Sequence, residues 1–361
     1  MFDSQKQIRT IYLNSALGGF QIAGASWVAL LAARGFSLVE IGFAESVFHL
    51  TSLLCELPSG VVSDVFGRKK AMVISQCLSV LAAVAMLASR TLAGVLPAMA
   101  LSAMSYNFAS GTREALAYDS LKLSGQEARY DVFSSTELIF YRISSSAATL
   151  CAGLALMIGY RKAYFIDVVL GLLCLCVTLR LTEVRAACRH DSPWQNARDC
   201  AQQSVRFLRS SKQAIRLIFL NAAVGAAATL LVFFLQARLP ECGLPRAALG
   251  PVLFAMGLGG AAGARAVLLV RRWRYGAVAA FCAAGVTICL LGSFARVPLM
   301  MALCGFTASL LDDLLQVRSD VQLNQMVPSQ QRATLLSVSS LCFSLIMMGL
   351  SPVLGKLFSM R

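Results

Sequence analysis

Charge is what this sequence is shortest of. Asp, Glu, Lys and Arg make up 14% of its 361 residues and hydrophobic residues 57%, whereas a soluble domain carries about 25% charged residues. With a mean hydropathy of +0.69, the chain reads as a polytopic membrane protein before any motif is considered. Its net charge of +14 would suit nucleic acid if the cations shared one face or tail. They instead punctuate the apolar runs, so they mark topology rather than phosphate contacts, and no nucleic-acid partner is expected.

Other chemistries also lack their residues. The 12 cysteines form no Cys-x-x-Cys pair. Most of them (Cys55, Cys77, Cys151, Cys174, Cys176, Cys282, Cys289, Cys304, Cys342) lie inside apolar runs, where a thiol packs as a small hydrophobe. Neither a disulfide framework nor a zinc site is expected. The glycine-rich stretch Gly257-Leu-Gly259-Gly260-Ala-Ala-Gly263 has no Walker lysine, so it reads as a surface for close helix approach and not as a phosphate loop. With no nucleophile–base pair, metal spacing or cofactor fingerprint, the chain is expected to be no enzyme and to need no cofactor or metal.

What is present is a series of apolar runs. At about 20 residues per span, helices are predicted at 11–33, 38–59, 71–89, 92–117, 132–158, 162–181, 214–236, 246–270, 275–294, 297–318 and 333–357. The first run follows Lys6 and Arg9 but is too long for a signal peptide. Taken alternately from the N-terminus, the connections carry roughly twice the Lys and Arg of the opposite set, which predicts a cytoplasmic N-terminus. The longest connection, 182–213, divides the chain into bundles at 1–181 and 214–361. Within it Trp194, Ala197, Ala201, Val205 and Leu208 recur at helical spacing between Arg198, Gln202, Arg206 and Arg209. That pattern fits a basic amphipathic helix on the inner membrane surface, with a flexible linker as the alternative.

The most informative stretch joins the second and third runs: Gly60-Val-Val-Ser-Asp64-Val-Phe-Gly67-Arg68-Lys69-Lys70. Three consecutive cations, a carboxylate and two glycines between lipid-compatible runs belong at a water-facing turn. A carboxylate and a guanidinium four residues apart at helix ends can pair in one packing and separate in another. A positive-inside loop would account for Arg68, Lys69 and Lys70, but not for Asp64 and the glycines.

This spacing, reached through Glu56-Leu-Pro58-Ser, resembles the signature loop between helices two and three of the major facilitator superfamily (MFS) of secondary transporters. Gly111-Thr-Arg113-Glu114-Ala-Leu-Ala-Tyr118-Asp119 is similar to the end of helix four in bacterial members. Tyr160-Arg161-Lys162-Ala-Tyr164-Phe165 resembles the start of helix six, and Val327-Pro328 through Arg332-Ala333-Thr334 that of helix eleven. The resemblance implies an all-α MFS fold of two pseudo-symmetric bundles, and a charge relay of Gly60, Asp64, Gly67, Arg68, Lys69 and Asp119. Members normally have twelve helices; about eleven are predicted here, the twelfth being the one without a counterpart. The Gly-Pro motif of helix five in many drug–proton antiporters is replaced by Ser144-Ser-Ser-Ala-Ala-Thr149.

Ionisable groups within a bilayer are costly, which makes each a functional candidate. Glu45, His49, Ser52 and Glu56 share one face of the second predicted helix. Glu45 and His49 are the candidates for proton coupling, whereas Glu56 reads as structural. Arg142 near mid-membrane requires a partner, either a carboxylate such as Glu45 or an anionic substrate group. Arg113, Glu114, Glu137 and Asp312 are candidates for a gate of breakable ion pairs, and of the adjacent Asp312 and Asp313 one is expected to face the cavity. Asn14, Gln21 and Asn221 are candidate substrate contacts, or equally interhelical packing hydrogen bonds.

The expectation is a multi-pass secondary transporter of the bacterial plasma (inner) membrane, monomeric and working by alternating access. Its partners are the lipid bilayer, a small-molecule substrate and protons. Proton-coupled export of a small amphipathic or hydrophobic compound, as an antiporter, is the leading reading and follows from the resemblance to efflux members. The alternatives are uptake or exchange of a polar or anionic metabolite, and a non-transporting carrier relative that acts as a sensor or as a subunit completed by a partner.

Overall fold

The computed structural model describes residues 3–184, 212–326 and 332–360. All regular structure among them is helical: α1 Ser4–Gly19, α2 Ile22–Ala25, α3 Trp27–Ala33, α4 Leu38–Phe66, α5 Arg68–Ala88, α6 Leu92–Ala109, α7 Thr112–Leu123, α8 Tyr130–Leu150, α9 Ala152–Ile158, α10 Tyr160–Leu179, α11 Lys212–Glu241, α12 Leu249–Ala266, α13 Tyr275–Gly292, α14 Pro298–Met326 and α15 Arg332–Ser359. Nine helices or helix pairs among the described residues are long and apolar enough to cross a membrane, or ten if α8 and α9, bent by 45°, count as one broken span. In lipid a helix satisfies its own backbone, which is why apolar runs take this form.

The first predicted span, 11–33, is interrupted. Helix α1 starts seven residues early, its first turn capped by Asp3, whose carboxylate accepts from the Lys6 N–H at 3.0 Å. It stops at Gly19, and α2 and α3 follow as short separate helices. The eleven-residue link expected between the second and third runs, 60–70, is also not a loop. Helix α4 runs on to Phe66 and α5 begins at Arg68, leaving Gly67 alone between them. Polar residues continue a helix into the headgroup region because its hydrogen bonds remain internal, so hydropathy underestimates its length. The start of α4 is legible: Ser37 and Glu40 form a reciprocal capping box, at 2.8 Å from the Ser37 N–H to Glu40 and 3.3 Å from the Glu40 N–H to Ser37. The amphipathic helix proposed for 182–213 lies almost wholly outside the described residues, as does part of the 327–334 stretch.

The chain forms two compact units: Met1–Trp27 with Val47–Ala197, and Val28–Ser46 with Arg198–Arg361. Whereas 1–181 was expected to be one bundle, residues 28–46 pack with the second unit. The first half of α4 lies on α15, where Ser46 Oγ donates to the Met348 carbonyl at 2.7 Å and a Cβ on Gly42 would come within 2.8 Å of Pro352 Cα. The core of the first unit gathers Ile11, Met72, Leu116, Leu121, Phe133 and Leu181. In the second, Ala214, Leu217, Ile218, Leu323 and Val338 cluster together.

The Gly257–Gly263 stretch forms a seam in the second unit. Helices α12 and α14 approach so closely that a Cβ on Gly263 would lie 2.7 Å from the Leu310 carbonyl carbon, and one on Gly259 3.0 Å from that of Phe306. Small residues allow such approach where lipid gives no hydrophobic drive between helices. Gly257, in the same run, would meet nothing within 4 Å. Gly263→Leu should therefore destabilise the protein by about 1–3 kcal/mol or more through overpacking, seen as a lower melting temperature in detergent. Gly257→Leu should leave the melting temperature unchanged.

Candidate functional site

The turn at Gly67 is built by residues from three helices of the first unit. Gly67 has φ +104°, a region unfavourable to residues with a Cβ, and a Cβ here would sit 2.6 Å from the Glu183 carboxyl carbon. The Glu183 carboxylate accepts from the N–H groups of Lys69 at 3.2 Å and Lys70 at 3.4 Å, so it caps the positive end of α5. Arg68 turns the other way. Its guanidinium donates to the Ala115 carbonyl and pairs with Asp119, both on α7. Asp119 is buried, and Arg68 is mostly covered. The positive end of α5 is thus clasped to α7 through a side chain and to the end of the α10 segment through its backbone.

Other candidates of this group lie apart from the clasp. Asp64, in the last turn of α4, is exposed and has no ion-pair partner among the described residues, while Arg68, which opens α5, pairs with Asp119, the other carboxylate of the relay that the resemblance implies. Gly60 is exposed, with nothing within 4 Å of an added Cβ.

A second charged cluster lies deeper in the same unit. Arg113 Nη1 donates to Glu137 Oε1 at 3.0 Å, and Ser15 Oγ donates to the same oxygen at 2.6 Å, tying α7, α8 and α1 together. The adjoining Glu114 Oε2 and the Arg113 Nε are buried and have no hydrogen-bond partner among the described residues. Beside them, Tyr12 stacks on Phe133 with ring centres 5.5 Å apart, and Tyr130 meets Tyr118 edge-on at 5.4 Å. Tyr12 also meets Phe140, with ring centres 5.5 Å apart. Arg142 is exposed and has no ion-pair partner among the described residues.

Glu45 and His49 are both buried, and His49 lies edge-on to Phe48 at 5.4 Å. In the second unit, Asp312 lies against Gly225 of α11 and Asp313 against Gly260 of α12. The adjacent carboxylates thus serve different interfaces, as their separation of about 100° around a helix dictates. Among the polar candidates, the Asn14 amide donates to Thr178 at 2.8 Å and to the Cys174 sulfur at 3.3 Å, the geometry of a packing contact. Gln21 reaches Ser79 at 3.5 Å, and Asn221 donates to Gln316 at 3.0 Å.

Two carboxylates outside the sequence-derived set are prominent. Glu183 caps α5, and Asp167 is a buried acid in α10. The rule that intramembrane ionisable groups deserve suspicion would have found Asp167, a single acid in an apolar run. Nothing local marks Glu183, whose role arises from packing alone.

The clasp predicts energetic coupling. Arg68→Ala and Asp119→Ala should each lower thermal stability, and the double variant should lose less than their sum, with a coupling of about 0.5–3 kcal/mol. Additive losses in a double-mutant cycle of melting measurements would show that the pair holds nothing.

Comparison with known proteins places this architecture. No curated protein matches the sequence. The fold is similar to that of the nucleoside transporter NupG, at 15% identity with a TM-score of 0.71, covering 99% of this chain and 91% of that one. A bacterial homologue of the human lysosomal transporter Spinster, in an inward-facing and unoccupied conformation, aligns at 14% identity with a TM-score of 0.69, covering 97% and 80%. The D-xylose-proton symporter aligns at 14% identity and 0.67, covering 96% and 89%. A family model of the Major Facilitator Superfamily matches residues 11–352. The chain therefore belongs to that superfamily and is a multi-pass membrane protein with the fold of a secondary transporter.

Proposed function

We propose that the chain is a proton-coupled exporter of small amphipathic or hydrophobic compounds that works by alternating access in a bacterial inner membrane. The observation that carries this reading is the Arg113–Glu137–Ser15 cluster beside an exposed aromatic surface. Tyr106, Phe140 and Tyr141 are each more than 40% exposed, and the ion pair next to them is held by single hydrogen bonds of 3.0 and 2.6 Å. Such a surface offers rings to an apolar body and a breakable charge pair to a polar end. The carboxylate of such a pair can exchange its guanidinium for a proton when access changes. The Arg68–Asp119 clasp supplies a second contact suited to release in another packing. By the distribution of cations, the N-terminus lies in the cytoplasm.

A second reading, uptake or exchange of a polar metabolite, is favoured by the exposed Arg142. The proteins of similar fold named above include one described as a nucleoside transporter and one as a sugar–proton symporter. Proteoliposomes with an imposed pH gradient distinguish the two, using lipophilic cations on one side of the panel and nucleosides, pentoses and anionic metabolites on the other. Export predicts movement of a lipophilic compound against the proton flow that a protonophore abolishes. Glu137→Gln should slow it about tenfold or more, since leaving Arg113 without its partner costs at least ~1.4 kcal/mol. Movement of a polar metabolite with the protons, lost in Arg142→Gln, would establish the second reading. No movement of any compound by folded protein would exclude both.

A further inference from the structure

The interruption in the first span is held from another helix. Within Ile22–Ala25 the backbone has just restarted: the Ala25 N–H donates to Gln21 and the Ser26 N–H to Ala23, so the N–H groups of residues 22–24 have no carbonyl of their own helix to use. Asp167 of α10 takes their place. Its Oδ1 accepts from the Ile22 N–H at 2.8 Å and its Oδ2 from the Gly24 N–H at 2.9 Å. The carboxyl group is buried, with the residue 7% exposed. It lies seven residues into α10, about 10 Å from the start of that helix at 1.5 Å per residue.

No cation accompanies this buried carboxylate among the described residues. On its own helix, Arg161 and Lys162 are exposed in the first turn, and Cys174 bonds to Asn14. Helix α5 presents Gln76, which donates to the Gly171 carbonyl, together with Ser79 and the thiol of Cys77. The charges of α1 are Lys6 and Arg9, near its far end, and α2 and α9 carry none. Behind α2, helix α8 brings Glu137, which is paired with Arg113, and the exposed Arg142. The partners of Asp167 are therefore backbone N–H groups.

The position of this clasp along the chain gives it a role. The first compact unit takes the chain as far as Trp27, and Val28–Ser46 belongs to the second. The turn held by Asp167 is the last structured piece of the first unit before the chain passes into the other. Two short helices, with breaks at Phe20–Gln21 and Ser26, make up this part of the chain, and the boundary falls one residue into α3.

We propose that Asp167 is a proton-binding site that works this interrupted segment as a hinge: the ionised carboxylate holds the Ile22–Ala25 turn, and protonation releases it. An ionised carboxylate has two accepting oxygens and meets both N–H groups with charge-assisted bonds. The proton adds to one oxygen and turns it into a hydroxyl, a donor facing another donor. One N–H then loses its partner, no bond is broken in the chain, and loss of the proton restores the clasp. The site binds only a proton, so its test does not depend on which compound is transported.

Trp27, the first residue of α3, reports on the hinge. In the full-length protein in nanodiscs, with Trp194→Phe and Trp273→Phe, Trp27 emission should follow a single-proton transition across a pH titration. In Asp167→Asn, which keeps one accepting oxygen and adds a donor as the protonated acid does, emission should stay at its low-pH value throughout. Asp167→Glu keeps a titratable group and should move the midpoint by about half a pH unit or more; it decides the matter if the Asn variant does not fold. A flat wild-type profile, a transition that persists in Asp167→Asn, or a midpoint unchanged in Asp167→Glu would each overturn the proposal. Loss of transport with an intact Trp27 transition would instead count against the exporter reading alone.

Discussion

A polar backbone group inside a bilayer has no water to turn to, and most of this structure follows from that constraint. Apolar runs become helices because a helix pairs its own N–H and C=O groups. Wherever a helix stops inside the span, something else must supply the missing partner. At the interruption after Gly19 that partner is the Asp167 carboxylate, which accepts from Ile22 and Gly24. At the start of α5 it is Glu183, which accepts from Lys69 and Lys70. Both carboxylates come from the segment between residues 160 and 184, so one stretch of chain secures two separate helix starts in the first unit.

The same constraint applies to charge. Arg68 with Asp119 and Arg113 with Glu137 are cross-helix pairs of the first unit, each with further hydrogen bonds to the pair. Buried pairs of this kind contribute modestly to stability, because desolvation offsets much of their attraction. They suit a molecule that must leave one packing for another better than one that must remain still. The second unit relies on close backbone approach instead. Its glycine seam between α12 and α14 has no room for a Cβ at Gly259 or Gly263, and Asp313 occupies the space over Gly260.

Much of the fold was legible. The approximate positions of most helices and the cluster of Gly67, Arg68 and Asp119 follow from local pattern or resemblance. Pattern misplaced what depends on distant chain. Helix α5 takes up the cations assigned to a loop, because hydropathy marks where lipid ends and not where a helix must end.

Alone, the sequence determined that the chain crosses a membrane many times, roughly where each crossing lies, and which superfamily carries its signature loop. Those properties reside in hydrophobicity, length and short motifs, which act over one or two helical turns. Only the tertiary structure decided that residues 28–46 belong with the second unit and that the first span breaks where Asp167 can hold it. A carboxylate 145 residues away from the N–H it caps leaves no mark on the local pattern. Its partner is a backbone group common to nearly every residue, so folding alone selects which one it meets.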